Sequence, residues 1–221
     1  MMPAKFCHLV EIRPLYALVG QSDNKTARRV DGSLRDDKGN AVIIRQISTT
    51  DLPALRDLAE RTFRDAWQHM NEPEPFEAYC REHFAVENLA AELAAPDAEF
   101  YFAEQDGRPV AYLKLNLNRL PHSSDDLQSS DEWYDPALQL ERIYVLQDVQ
   151  GQRIGERLLA FTEKRARDTG AAWVWLSVWQ KSPRSIGFYE KNGYEIFGIE
   201  TFWVGDDPQP DWLMRKRLAP Q

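Results

Sequence analysis

The 221-residue chain has few of the features that mark the commoner special classes of protein. No apolar run approaches the roughly 20 residues that a membrane-spanning helix needs. The first 18 residues are interrupted by His8, Glu11, Arg13 and Pro14, so they make a poor signal peptide. Cysteine is scarce: Cys7 and Cys80 cannot form a metal cluster alone, sit in no nucleophile motif, and point to a reduced, cytoplasmic chain. Histidine is scarce too, and His8, His69, His83 and His122 show neither HxxxH nor HxH spacing, so no metal site is expected. Positive charge is in deficit, with 27 Lys and Arg against 35 Asp and Glu and a formal net charge of −8. Nucleic acid and anionic membranes are therefore poor partners, and a cationic one is left open. The 11 glycines and 13 prolines form no repeat, which excludes a fibrous chain. What is present, 43% hydrophobic residues against 28% charged, is the balance of a folded domain rather than a disordered segment.

The charge is unevenly spread. Residues 1–40 carry seven Lys and Arg against five Asp and Glu, and the other 181 residues hold a net −10. The polar stretch from Gly20 to Asn40 offers little to bury, so residues 1–40 read as a mobile or weakly ordered leader and 41–221 as the folded domain. An ordered strand from Leu9 to Leu18 followed by a loop is the alternative. From Ala41 the pattern is regular. Val42-Ile43-Ile44 predicts a strand, Ser48 to Asp51 offers N-caps, and Leu55, Leu58, Ala59, Phe63 and Trp67 recur at helical spacing. Pro73 and Pro75 should break that helix; Phe76–Phe84 and Val86–Ala95 read as two more. Two strands, Phe100–Ala103 and Pro109–Asn116, should meet at the Asp106-Gly107 turn. Arg119 to Ala137 is a polar loop. Strand Leu138–Leu146, helix Gly151–Thr169 with Leu158, Leu159, Phe161 and Ala166 buried, and strand Ala172–Val178 follow. Helix Pro183–Lys191 and the strands Tyr194–Val204 and Trp212–Leu218 complete an α/β chain with a mixed sheet and a βαβ crossover inside it.

Two segments carry chemistry. In the first, Leu140-Glu141-Arg142-Ile143-Tyr144-Val145 leads into Gln150-Gly151-Gln152-Arg153-Ile154-Gly155, so a strand delivers a glycine-containing turn into a helix. The unpaired N–H groups of a helix N-terminus can hold a phosphate, and a missing Cβ lets backbone approach it closely. The spacing matches neither GxGxxG nor the Walker pattern, which disfavours dinucleotide and nucleoside triphosphate sites. The second segment runs from Ser182 to Tyr194. It predicts a short helix that brings Tyr189 near the end of the preceding strand, where it either packs or moves a proton.

Together, in this order, the two segments resemble the GNAT superfamily of N-acetyltransferases. That group carries [QR]-x-x-G-x-[GA] after a strand and N-x-x-A-x-x-[FL]-Y-x-x-x-G-[FY] later; here the counterparts are Gln150 to Gly155 and Ser182, Ser185, Phe188, Tyr189, Gly193 and Tyr194. The tail from Phe202 to Met214 is similar to bacterial PaiA-type polyamine acetyltransferases. The resemblance implies the GNAT fold, a mostly antiparallel sheet with a central parallel βαβ crossover, and acetyl-CoA as co-substrate. It implies cofactor contacts from Ile143, Tyr144, Val145, Gln150, Gly151, Gln152, Arg153, Ile154, Gly155, Ser182 and Tyr189. Arg153 replaces the usual middle glycine and Ser182 the usual asparagine. If the Arg153 position needs φ > 0, a non-glycine residue is strained there by roughly 1–2 kcal/mol.

Acetyl transfer to an amine needs a proton acceptor, a stabilised oxyanion and reprotonation of the leaving thiolate. The resemblance implies Glu141 as the base, directly or through water, and Tyr189 as the acid. The segment from His122 to Glu141 holds six carboxylates and no Lys or Arg, enough to attract a polycation, with Asp131, Glu132 and Trp179 as the expected acceptor contacts. A small-molecule amine, possibly a polyamine, is therefore the expected acceptor, with other small amines or a protein N-terminus as alternatives. A non-enzymatic acyl-CoA sensor is the reading from another class. Dimers are frequent in the superfamily, which makes a homodimer an expectation by analogy.

Overall fold

The computed structural model describes residues 34–35, 41–70, 73–121, 135–204 and 207–219. The expected leader, apart from a two-residue strand β1 (Leu34–Arg35), lies outside them. Eight strands form one sheet in the order β1-β2-β3-β4-β5-β6-β8-β7: β2 (Ala41–Gln46), β3 (Ala98–Gln105), β4 (Arg108–Asn116), β5 (Ala137–Val145), β6 (Trp173–Trp179), β7 (Glu195–Val204) and β8 (Asp207–Arg217). Every neighbouring pair is antiparallel except β5 and β6, joined by the helical crossover α4 (Ile154–Asp168). The mixed α/β architecture expected from the sequence is the one found. No helix of the described residues is long and apolar enough to cross a membrane.

The helices follow from the apolar spacing and the breakers. Helix α1 (Leu52–Trp67) buries Leu55, Leu58, Ala59 and Phe63. Phe63 stacks on Phe76 and Tyr79, with ring centroids 5.6 and 5.2 Å apart, which ties α1 to α2 (Pro73–His83). Pro73 opens α2 instead of merely ending α1, because a first-turn residue has no intrahelical N–H bond to lose. Helix α3 (Val86–Ala94) stops before Pro96 as expected. The β3–β4 hairpin turns on Asp106 and Gly107 at φ 52° and 75°, the left-handed pair that a two-residue turn with matching twist requires. Helix α4 starts three residues later than the sequence implies, because Gly151 and Arg153 both adopt positive φ and keep the chain out of the helix until Ile154. Its Leu158, Leu159 and Ala166 are buried, whereas Phe161 is only partly so and meets Tyr101 edge-on. Helix α5 (Pro183–Lys191) closes the set. Cys80 is buried under this layer, and burial pushes its thiol up to about 11, so it stays protonated and unreactive.

The sheet forks in the middle. β5 and β6 pair only at Ala137↔Trp173, Leu138↔Val174 and Gln139↔Trp175, and then separate. At the same level the β4–β5 register jumps from Lys114↔Arg142 to Leu115↔Leu140, so Glu141 is an extra, unpaired residue of β5. Such a bulge bends and twists the strand that carries it. A buried charge network holds it. The Glu141 side chain is 0% exposed, with Lys114 Nζ 2.7 Å from Oε1 and Arg142 Nη2 3.2 Å from it. Asn116 Nδ2 donates to Glu141 Oε2 at 2.6 Å and to Gln139 Oε1 at 2.8 Å. Glu92 of α3 completes the set, 3.0 Å from Lys114 Nζ and 2.8 Å from Arg142 Nη1. Burial alone would push the Glu92 carboxyl up; Arg142 and Lys114 outweigh that and hold it below its ordinary value.

Two carboxylates and two cations thus neutralise each other where water cannot. Removing one member strands the others, so Lys114→Ala should destabilise the fold by about 3–5 kcal/mol in urea unfolding. Lys164→Ala, which cuts the exposed Lys164–Asp168 pair, should change stability little.

Candidate active site

Past the fork, β5 exposes one edge. The Leu146 amide donates to the Val110 carbonyl at 2.9 Å, and Leu146 follows residues paired with β4 through Val145. Backbone groups alternate along an antiparallel strand, so the amides of Ile143 and Val145 point away from β4 into the opening. The carbonyl of Val145 is taken by Gln150 Nε2 at 3.1 Å, which folds the chain back against the strand end.

The turn after β5 is built from left-handed residues. Gly151 has φ +80°, and a Cβ there would meet nothing within 4 Å, so the backbone angle and not crowding selects glycine. Arg153 has φ +61° and ψ 17°, the left-handed region that disfavours a side chain. The position therefore does carry the strain that the sequence raised as a condition. Its guanidinium lies over the first turn of α4, with Nε 2.8 Å from Glu156 Oε2. A methyl on Gly155 would touch the Phe188 ring at 3.6 Å, an ordinary contact, so protein packing alone does not demand glycine there. Left-handed turns that feed a helix N-terminus gather backbone N–H groups into a concave anion site, reinforced by the helix dipole.

Helix α5 forms the facing wall. Ser182 stands just before it, and its hydroxyl donates to Ser185 Oγ at 2.9 Å. Tyr189 is buried, edge-on to Phe188 at 5.2 Å and to Tyr194 at 5.8 Å. The opening between these walls is a cleft of about 580 Å³. It brings together Ile143, Tyr144, Val145, Gln150, Gly151, Arg153, Ile154, Gly155, Ser182 and Tyr189 from the expected set.

Other expected residues are placed elsewhere. Gln152 does not line the cleft; its Oε1 accepts from Gln105 Nε2 at 3.2 Å. Trp179 is buried on β6 and packs edge-on against Trp67, centroids 6.0 Å apart. Asp131 and Glu132 lie outside the described residues. Glu141 does not reach the cleft, because the bulge turns it into the charge network, where both its oxygens already accept from Lys114, Arg142 and Asn116. The resemblance implies Glu141 as base, directly or through water; here its carboxylate lies in the buried network and outside the cleft lining.

Sequence reasoning missed the third wall. Thr62, Asp65, Ala66 and Trp67 of α1 and His69 just after it line the cleft, as do Gln147, Arg184 and Phe188. The α1 signal was available: Thr62, Ala66 and His69 recur at i, i+4 and i+7 beside the buried stripe, and so share a helix face. Arg184 is exposed and makes no ion pair among the described residues. No group of three or more His, Cys, Asp or Glu side chains among the described residues is placed to hold a metal ion.

Residues 52–194 match the acetyltransferase (GNAT) family. The chain belongs to that family. It is 33% identical over 179 residues to an uncharacterized N-acetyltransferase in the pepI 3′ region of Lactobacillus delbrueckii subsp. lactis, covering 80% of this chain and 98% of that one. It is 23% identical over 181 residues to the spermidine N(1)-acetyltransferase of Thermoplasma acidophilum, covering 80% of this chain and 98% of that protein. The crystal structure of the PaiA N-acetyltransferase from Thermoplasma acidophilum, in complex with coenzyme A, shares the fold. Its TM-score is 0.61 at 23% identity, over 80% of this chain and 99% of that one. The family assignment makes the chain an acetyltransferase, and its forked sheet and left-handed turn are the local forms that the fold takes here.

Arg153→Gly should relieve the left-handed strain at the cost of a weak surface ion pair. A gain of about 1 kcal/mol corresponds to a melting temperature about 2–4 °C higher for a domain of this size, read by thermal unfolding.

Proposed function

We propose that this acetyltransferase takes acetyl-CoA as donor and moves its acetyl group to the primary amine of a small cationic acceptor, a polyamine being the leading class. The observation that carries the reading is the cleft, in which a forked strand edge and a left-handed turn at a helix N-terminus lie end to end. The residues fit the donor. The open amides of Ile143 and Val145 suit the amide groups of an extended pantetheine arm, as an added strand would. The turn from Gly151 to Gly155 suits its pyrophosphate, with Arg153 and Arg184 as nearby cations. When bound, acetyl-CoA supplies an activated thioester.

The chain's own residues divide the remaining work. The cleft walls from α1 and α5 exclude water and hold the reacting groups in line. Tyr189, buried at the far wall, donates the proton that the leaving sulfur needs. Glu141 keeps the fork open rather than taking the amine proton. A cationic acceptor is favoured by the −10 balance of residues 41–221 and by the run of carboxylates between His122 and Glu141. The resemblance to a spermidine acetyltransferase supports the same class.

A thiol-release screen with acetyl-CoA against polyamines, amino acids, aminoglycosides and peptide N-termini tests the assignment. Polyamines should turn over fastest, and their rates should fall as salt rises. Faster turnover of a neutral amine or a peptide would replace the acceptor class. Tyr189→Phe should lower kcat by about 100-fold while leaving coenzyme A affinity, measured by calorimetry, nearly unchanged. An unchanged kcat would remove Tyr189 from the chemistry.

A further inference from the structure

Helix α4 carries a guanidinium that nothing in the fold uses. Among the described residues, Nη1 of Arg157 is shut off from water without a hydrogen-bond partner, and the side chain enters no ion pair. The other cations at this helix are engaged: Arg153 with Glu156, Lys164 with Asp168, Arg165 with Glu99 and Arg167 with Glu163. A guanidinium presents several N–H donors in a fixed fork, and a buried donor left unpaired is costly, so this one invites an acceptor from outside the chain. The surroundings offer a place for it. Arg153, Glu156, Arg157 and Ala160 line a hollow of about 220 Å³ on the flank of α4. Their spacing of i, i+3, i+4 and i+7 puts them on one face of the helix. Arg153 and Glu156 also line the main cleft, so the hollow continues that cleft along the helix. Glu156, the carboxylate of this lining, is already held by Arg153 at 2.8 Å and Lys191 at 3.6 Å. The hollow therefore keeps a surplus of positive charge within an acidic domain.

We infer that Arg157 binds the 3′-phosphate of the donor and makes the protein select coenzyme A over its 3′-dephosphorylated form. This rests on the reading of the cleft as an acetyl-CoA site. The nucleotide of coenzyme A is anionic on both sides of its ribose, with the pyrophosphate on the 5′ oxygen and a phosphate monoester on the 3′ oxygen. The turn from Gly151 to Gly155 suits the first of these. Arg157 stands one helical turn beyond Arg153, about 6 Å along the axis, and the two phosphate groups are likewise separated by a single sugar ring. A hollow that adjoins the turn and holds an unspent cation one turn farther on suits the second. Guanidinium and phosphate match in charge and in two-point hydrogen-bonding geometry, which a lysine would not reproduce. The work is thus divided. Backbone amides at the turn hold what any nucleoside diphosphate presents, so they cannot sense the 3′ group, and Arg157 does. No bond is made or broken in this role, and Arg157 is a specificity residue, not a catalytic one. Arg184 lines the cleft but not the hollow, so it serves the pyrophosphate end.

Calorimetric titration of the full chain with coenzyme A and with dephospho-coenzyme A tests the role. Wild type should bind coenzyme A about 20-fold more tightly, the usual scale for a hydrogen-bonded charge pair. Arg157→Gln should bring the two affinities within about twofold of each other by weakening coenzyme A alone. Its unchanged affinity for dephospho-coenzyme A then shows that the variant is folded. Arg157→Lys, which keeps the charge without the fork, should retain part of the preference. The preference should also shrink as salt rises. Arg184→Gln should weaken both ligands by the same factor; a loss confined to coenzyme A there would move the 3′-phosphate to Arg184 and overturn the inference. Equal affinity of the wild type for the two ligands, or an equal loss of both in Arg157→Gln, overturns it too and leaves the donor reading standing. Failure of the wild type to bind either ligand would instead overturn the donor reading, and the role of Arg157 with it.

Discussion

The fork in the sheet depends on the buried ion network around Glu141. Parallel strands that stay paired leave no space between them, so a cleft inside a continuous sheet needs a reason for β5 to leave β6 after Gln139. The reason is the unpaired residue at Glu141. A bulge costs ladder hydrogen bonds and, here, turns a charged side chain inward. That is tolerable only because Lys114, Arg142 and Asn116 converge on its carboxylate, and Glu92 on α3 balances the second cation. Buried ion networks are weak sources of stability, and their best-attested use is to impose one geometry over its alternatives. This one imposes the fork.

Several features of the site are then consequences. Once β5 parts from β6, the amides of Ile143 and Val145 have no strand partner on that side, which is what an extended ligand requires. The chain leaving β5 must turn sharply to enter α4, and the left-handed angles of Gly151 and Arg153 make that turn. The same turn aims the α4 amides at the mouth of the cleft. Arg153 is tolerated at a position better suited to glycine because its strain is local and its side chain finds Glu156 one turn on.

Much of this was legible in the sequence, and the parts that were not share a cause. The strand-turn-helix from Leu140 to Gly155 and the helix carrying Tyr189 are local patterns, fixed by glycines, prolines and apolar spacing, and they lie where the sequence put them. The placement of Glu141 was not legible. Alternation of faces along β5 predicts where its side chain points, but a bulge resets that alternation, and nothing in the residues 137–145 announces one. The late start of α4 escaped for a related reason, since an arginine carries no mark of a left-handed angle. The wall from α1 is a long-range contact: Thr62, Asp65 and Trp67 have a readable face, but only the tertiary packing says that this face looks into the cleft.

The charge deficit that first pointed to a cationic partner takes on a different meaning within this geometry. An acidic domain repels a donor that carries several phosphates, so the binding potential for that donor has to be local and cannot come from net charge. Backbone amides and a helix dipole supply it without adding lysines, and act only within the first turn or so. Arg153 and Arg184, both in the cleft lining, reinforce that end. The anion-seeking end of the cleft is therefore built from local backbone geometry, against the charge of the domain around it.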